Sequence, residues 1–457
     1  MSGAPQKIHF VGVAGTGMSA LAQLRAAEGC VVTGSDRQAD GGGMGETGRR
    51  LEAAGVTVFP QDGSGIDRAT TRVVVSTAIE KDNLDLARAA EFGVPVVHRA
   101  DELGAVAGAR RTIAVAGTSG KSTVTAMIFH ILESAGKKPS LVTGAALPSV
   151  RRKGLIGNAW LGTSDLLVIE ADESDGTIDR YKPHLGLLLN ISKDHKEMPE
   201  LLALFAVFKA RSDTFVLNAD ASGLDSFLPG AKTFGFKAGE LRADRLELSA
   251  EACRFFVKDV EFRIPMTGGY NAENALAAAA AAAEIGVSLE ESAAALATFA
   301  GVARRFELVG TAAGVTVIDD FAHNPEKVRA ALGAAHLRAA RVLAVFQLHG
   351  FAPARFLKKE FIAAFTESLR DDDLIFFPDI YYAGGTAAKD ISARDYAEAL
   401  TTAGRSAVYA PDRSALSDEI ASRARPGDLV LSMGARDPSL SDFAHQILAA
   451  LKRRDRI

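Results

Sequence analysis

At 457 residues the chain is long enough for about two to four domains with ample core. A hydrophobic share of 47 % and a charged share of 24 % are those of an ordinary globular protein, and a net charge of −4 gives no case for a nucleic-acid partner. No apolar run reaches the ~18 residues of a bilayer span, the N-terminal stretch has no signal-peptide core, and Cys30 and Cys253 form no metal or disulfide pattern, so a cytoplasmic location is expected.

In chain order, residues 7–36 read as strand, glycine turn, helix and strand, a βαβ opening of the nucleotide-binding kind. The turn, Gly12-Val13-Ala14-Gly15-Thr16-Gly17 followed by Met18 and Ser19, is G-x-x-G-x-G rather than the nicotinamide fingerprint G-x-G-x-x-G. Asp36 ends the second strand, where an acid either takes ribose hydroxyls or caps a turn. Arg72–Ser76 reads as a strand running into Ser76-Thr77-Ala78, and Val94–Val97 as another. Asp101 to Arg110 reads as the crossing to a second domain.

The stretch from Arg111 to Gly136 is the strongest signal. A buried strand meets Gly117-Thr118-Ser119-Gly120-Lys121-Ser122-Thr123, and a helix follows. Glycines admit backbone N–H groups to phosphates, the helix N-terminus adds its positive end, Lys121 adds a full charge and the Ser122 hydroxyl can ligate Mg²⁺. Val115 stands where the general P-loop pattern has its first glycine. The strand Leu166–Ile169 ends in Glu170-Ala171-Asp172-Glu173-Ser174-Asp175, four acids that call for a cation. The strand Leu185–Leu189 leads to Asn190 and His195, at the strand end where open α/β sheets place ligands, and His195 suits metal or phosphate positioning.

Further on, Lys209 lies on a helix expected over Glu200 to Thr214, and by pattern is a surface lysine. Asn271 opens an alanine-rich helix and either caps it or reaches a base or phosphate. Arg304 and Arg305 sit at a linker, where arginine is the usual clamp for phosphate charge. A third domain begins near Glu307. Its strands end in Asp319-Asp320-Phe321-Ala322-His323, in Gln347-Leu348-His349-Gly350, in Pro378 to Gly385 and in Met433 to Asp437. Every cluster follows the C-terminal end of a strand, which predicts an α/β fold of doubly wound parallel sheets.

Eight blocks in this order, HFVGVAGTGMSALA, VVVSTAIEKDN with VPVVHRADEL, AVAGTSGKSTVTAM, IEADESD, LNISKDH, YNAENALAA, ARRFELVG and DDFAHNP, resemble the Mur ligase family of ATP-dependent amide-bond-forming enzymes. The resemblance covers nearly the whole chain. It implies a Rossmann-like domain for a UDP substrate over 1–105, a central P-loop ATPase over 106–305 and a Rossmann-like amino-acid-binding domain over 306–457. It implies ATP and Mg²⁺ as cofactors, a UDP-muramoyl compound and an amino acid as small-molecule partners, and an acyl-phosphate intermediate in peptidoglycan precursor synthesis. By the same resemblance Gly117 to Thr123 hold the triphosphate, and Ser122, Glu170 and His195 are magnesium ligands. Asn271 and Arg305 meet base and phosphates, and Asp320 and His323 reach the ATP ribose and the closed site. Gly12, Gly15, Thr16, Gly17, Met18, Ser19, Asp36, Ser76, Thr77, Ala78, His349 and Arg355 fall on the substrate side.

Three departures stand out from the alanine-adding branch of the family. Ser119 and Ser122 replace a His and a Thr of G-T-H-G-K-T. Gly350 and Pro353 stand where an H-R-F-x-R-x-R segment has arginines, leaving Arg355. Lys209 falls where sister ligases carry a carbamylated, magnesium-bound lysine. These departures imply a modified site, with a different amino acid or a recycled muropeptide as the alternative substrate.

Overall fold

The structure is a computed structural model that describes residues 5–40, 44–173, 177–192, 197–382, 388–437 and 439–455. Among the described residues the strands form three sheets, and helices cover them, so the fold is α/β throughout. Contacts divide the chain into two compact units. One comprises Met1–Leu246, Arg254–Ile264 and Ala272–Val302, the other Glu247–Cys253, Pro265–Asn271 and Ala303–Ile457.

The first unit holds a five-stranded sheet in which strands pair in the order Val56–Phe59, Val31–Ser35, Lys7–Val11, Thr70–Val75, Val96–His98, all parallel. Strand order reverses between Lys7–Val11 and Thr70–Val75. The Gly12–Gly17 turn and Ser76–Ala78 follow those two strands, so they flank the switch point where open sheets bind ligands. Alternation sets the burial here: Ile8, Phe10 and Val74 face a core shared with the next sheet.

That next sheet has ten strands, and its centre is parallel: Leu185–Leu188, Arg111–Ala116, Leu166–Glu170, Ser140–Val142. Val115 pairs with Leu187 on one side and Glu170 on the other. The near-continuous apolar runs reflect burial on both faces. The strands Leu241–Leu248, Cys253–Val257 and Val260–Ile264 extend this sheet at one edge, an extension not foreseen from the sequence. One hydrophobic core, from Ile8 and Leu21 through Leu103 to Ala114, Leu167 and Phe205, runs under both sheets.

The second unit holds a six-stranded sheet in the order Glu307–Ala312, Val315–Asp320, Leu429–Gly434, Val342–Gln347, Leu374–Phe377, Ala407–Tyr409. The first pair is antiparallel and the rest parallel.

Several elements differ from the sequence reading. The expected crossing at Asp101 to Arg110 is largely a helix, Arg99–Gly108, because Ala100, Leu103, Val106 and Ala107 recur on one buried face. The helix expected over Glu200 to Thr214 is Met198–Ala210, opened by a proline in its first turn and followed at once by the strand Thr214–Asn218. Asn271 does not cap its helix. It lies inside Gly269–Glu284, where its Nδ2 donates to the Thr267 carbonyl at 2.8 Å.

Candidate functional site

The phosphate turn is built as its sequence requires. Gly117 and Gly120 have φ of +133° and +88°, conformations that side chains rarely adopt, and a Cβ on Gly120 would lie 2.6 Å from Asn274 Oδ1. Helix Lys121–Ser134 then begins with no side-chain cap and no acid in its first turn, so its own sequence does not neutralise the positive end of its dipole. Asn190, at the end of the neighbouring strand, holds the turn on both sides. Its Oδ1 accepts from Ser119 N at 2.9 Å, its Nδ2 donates to Ser119 O at 3.0 Å, and its carbonyl accepts from Thr118 N at 3.3 Å. Thr118 and Ser192 exchange two more bonds, at 3.2 and 3.0 Å. The Ser119 Oγ is buried with no hydrogen-bond partner among the described residues.

Charge is concentrated here. Lys121 Nζ donates to Gly117 O at 2.7 Å and to Glu173 Oε2 at 2.8 Å, with Asp172 Oδ1 at 3.9 Å. Burial alone would push this ammonium down, but Glu173, Asp172 and Glu170 outweigh it and hold it above the ordinary lysine value. Glu170 lies beside the helix start: its Oε2 accepts from Ser122 Oγ at 3.1 Å, and its Oε1 accepts from Gly144 N at 2.7 Å and from Thr143 Oγ1. Thr123 is buried in the helix. A hydroxyl and a carboxylate oxygen side by side are hard donors of the kind Mg²⁺ takes. His195 and Asp175 lie outside the described residues.

The N-terminal turn has no charged side chain of its own, but the Arg99 side chain packs on it: a Cβ on Gly17 would lie 2.8 Å from Arg99 Nη1. Gly12 has φ of +75°. Gly12 N and Val13 N donate to Ser35 O at 2.8 and 2.9 Å, and Ala14 N donates to Asp36 Oδ2 at 2.9 Å. The other oxygen of Asp36 takes Gln38 N at 3.1 Å, so Asp36 braces the turn and caps the next helix. Gly15 and Thr16 are exposed, Gly17 half-buried, Met18 and Ser19 buried. Helix Thr16–Ala27 also begins without a side-chain cap or an acid. Ser76 is half-buried and Thr77 and Ala78 exposed, at the end of the strand across the switch point.

In the second unit, Asp320 accepts from Phe306 N at 2.6 Å and Ala322 N at 2.7 Å, and burial pushes its carboxyl up to about 6 in spite of Arg305. The Arg305 guanidinium lies 4.8 Å from the Phe321 ring. His323 Nδ1 donates to Phe321 O at 2.8 Å, its ring is 5.9 Å from that of His349, and burial lowers its pKa well below the usual value. Arg355 pairs with Asp390. Asn271 Oδ1 is buried without a hydrogen-bond partner among the described residues.

Lys209 has another occupation. Its Nζ donates to the carbonyls of Phe227 at 2.7 Å and Pro229 at 2.6 Å. A carbamate has no ammonium to give both bonds, so the modification expected from the resemblance does not suit this arrangement.

Residues 7–111 match the family model described as Mur ligase family, catalytic domain; 115–282 match the Mur ligase middle domain; and 304–436 match the Mur ligase glutamate ligase domain. The chain belongs to the Mur ligase family. This is a family of ATP-dependent ligases. Its relatives include the UDP-N-acetylmuramate–L-alanine ligase of Pelotomaculum thermopropionicum, 36 % identical over 94 % of this Mur ligase and 95 % of that protein. The structure of UDP-N-acetylmuramate–alanine ligase from Thermotoga maritima superposes with a TM-score of 0.81 at 26 % identity, covering 98 % of this chain and 99 % of that one. A murein peptide ligase from Psychrobacter arcticus gives 0.66 at 25 % identity, covering 98 % and 99 %. No helix of this Mur ligase, among the described residues, is long and apolar enough to cross a membrane.

Thr143 and Gly144, which hold Glu170, do not stand out in the sequence, and Glu173 and Asn190, which stand there within an acidic cluster and at a strand end, take the further roles of pairing with Lys121 and bracing the turn. Thr143-Gly144 and Asn190 each follow a strand's C-terminal end, and that position was the available signal.

Proposed function

We propose that this chain joins L-alanine to the carboxylate of UDP-N-acetylmuramate. The carboxylate oxygen attacks the γ-phosphorus of ATP and ADP leaves. The amine of the amino acid then attacks the acyl carbon, and phosphate and a proton depart. The observation that carries the reading is the meeting of Lys121, the Ser122 hydroxyl and the Glu170 carboxylate at an uncapped helix N-terminus. The turn Gly117–Thr123 binds the triphosphate, with Lys121 exchanging Glu173 for phosphate oxygens. Ser122 and Glu170, with His195, hold Mg²⁺, which neutralises phosphate charge when bound. The Gly12–Ser19 turn, with Asp36 behind it and Ser76–Ala78 across the switch point, binds the uridine nucleotide. Asn271, Arg305, Asp320 and His323 serve the nucleotide, and His349 and Arg355 the substrate side. We assign these to domains over 1–105, 106–305 and 306–457, in a cytoplasmic enzyme with neither nucleic-acid nor membrane partners. Lys209 is left out of the set.

A different amino acid, or a recycled muropeptide, is the second reading. It is favoured by Gly350 and Pro353, which withdraw two potential bidentate carboxylate contacts. Phosphate release decides between them. UDP-N-acetylmuramate is paired in turn with each amino acid and with a recycled muropeptide that carries a free amine. Turnover that requires both UDP-N-acetylmuramate and L-alanine is expected. Turnover without a sugar nucleotide would overturn the reading, and turnover with another amino acid or a muropeptide alone would replace it by the second.

A further inference from the structure

Between the two glycine turns runs a chain of hydrogen bonds that neither motif contains. Asn158 precedes the short strand Ala159–Trp160 and is 2 % exposed. Its Nδ2 donates to Thr16 O at 2.8 Å and to Ser19 Oγ at 2.9 Å, and its Oδ1 accepts from Gln23 Nε2 at 2.8 Å. Gln23 is tied back to the same segment, since its Oε1 accepts from Ile156 N at 3.3 Å. The side chain of Asn158 is thus spent on the first turns of helix Thr16–Ala27. Its main chain faces the other way: its carbonyl accepts from Thr143 N at 3.0 Å, beside the antiparallel pair of Val142 with Ala159. Thr143 Oγ1 then holds Glu170, and Glu170 holds Ser122 Oγ at 3.1 Å.

We propose that Asn158 is a positioning residue that couples the sugar-nucleotide turn to the phosphate turn. The inference rests on the function proposed above. An amide this buried has no water to fall back on, so a shift of the Thr16 turn that breaks its bonds leaves donors unpaired. Thr16 and Thr143 therefore move together, and Thr143 carries the displacement to Glu170. The chemistry needs such a link. A carboxylate at one end of a ligand anchored at Gly12–Ser19 must arrive within about 3–3.5 Å of a phosphorus anchored at Gly117–Ser122. The motif residues hold the two ligands; Asn158 sets how far apart the holders sit.

The test is a thermodynamic cycle measured calorimetrically on the full chain. A non-hydrolysable ATP analogue with Mg²⁺ is titrated with and without saturating UDP-N-acetylmuramate, in wild type, Asn158→Asp, Thr143→Val and the double variant. Wild type is expected to bind the analogue roughly fivefold or more tighter when the sugar nucleotide is present. Asn158→Asp turns a donor into an acceptor facing Thr16 O, and the gain should fall below about twofold while each ligand alone binds within about threefold of wild type. Thr143→Val, which leaves the contacts of Asn158 to the helix in place, should lose the gain as well, and the double variant no more than either. A lowered melting temperature with the gain intact would make Asn158 merely structural and overturn the proposal, as would a wild type that shows no gain. A wild type that binds the analogue but no UDP-N-acetylmuramate would instead overturn the proposed function, and this inference with it.

Discussion

The chain uses a glycine turn between a parallel strand and a helix twice in one unit, at Gly12–Gly17 and at Gly117–Gly120. Both are braced from the end of a neighbouring strand, by Ser35 and Asp36 in one case and Asn190 in the other. Both helices start without a cap. They differ in charge. The first turn has no cation of its own, only the Arg99 side chain packed on Gly17, and the carboxylate behind it is committed to backbone N–H groups. The second has an ammonium already in contact with carboxylates and a hydroxyl–carboxylate pair beside it. A dipole, backbone donors and a neighbouring guanidinium suffice to hold a ligand that does not react. A full charge that can change partners is what a transferring phosphoryl group requires. If the proposed function holds, only the second turn makes contacts that strengthen in the transition state, so damage to it should appear in kcat, and damage to the first in KM.

The sharpest way to break this comparison is Lys121→Ala. Removing the ammonium withdraws charge from the phosphate oxygens where it develops, and leaves Glu173 buried without its partner. Turnover should drop by at least about 10²–10³. Phosphate release under saturating substrates measures it, and turnover near wild type would remove the second turn from the chemistry.

Gly12→Ala should give the milder, opposite signature. At φ of +75° an alanine is strained, and its Cβ would sit 3.3 Å from Ile79 Cδ1. A left-handed residue costs about 1–2 kcal/mol, or roughly 5- to 30-fold in binding if the bound turn must keep this shape. KM for the sugar nucleotide should rise by about that factor with kcat and KM for ATP little changed. A fall in kcat at an unchanged KM would erase the distinction between the turns.

How far the sequence reaches follows from the same comparison. Each turn is local: strand, glycines and helix lie within about thirty residues, so pattern alone locates Gly12–Ser19 and Gly117–Thr123. The braces are not local. Asn158 meets Thr16 from 142 positions away and Asn190 meets Ser119 from 71, and no periodicity records such pairings. Asp101 to Arg110 reads in the sequence as a crossing, yet the helix Arg99–Gly108 forms there, because its buried apolar face outweighs the ~1 kcal/mol that each glycine costs inside a helix. Of the edge strands from Leu241 to Ile264, Leu241–Leu248 is largely exposed and carries little pattern, whereas Cys253–Val257 and Val260–Ile264 bury alternate residues, a period-2 signal weaker than the continuous apolar runs that mark the central strands.

Lys209 supplies the smallest effect and a control on the whole comparison. It is a lysine on the same unit as Lys121, yet it donates to two carbonyls rather than to carboxylates. The Phe227 and Pro229 carbonyls close the loop that follows the strand Thr214–Asn218, and the aliphatic stem lies near the Phe215 ring, with Nζ 5.7 Å from its centre. Lys209→Met keeps most of the packing and removes both bonds. The carbonyls lie partly in water, so the loss should be about 1–2 kcal/mol of stability, read as a fall of a few degrees in melting temperature. Because nothing that reacts touches this ammonium, kcat should stay within about twofold of wild type, and added short carboxylates should change nothing. A large loss of turnover restored by acetate or formate would mean that position 209 supplies an anion to the phosphate site, and that the charge which separates the two turns does not come from Lys121, Glu170 and Glu173 alone.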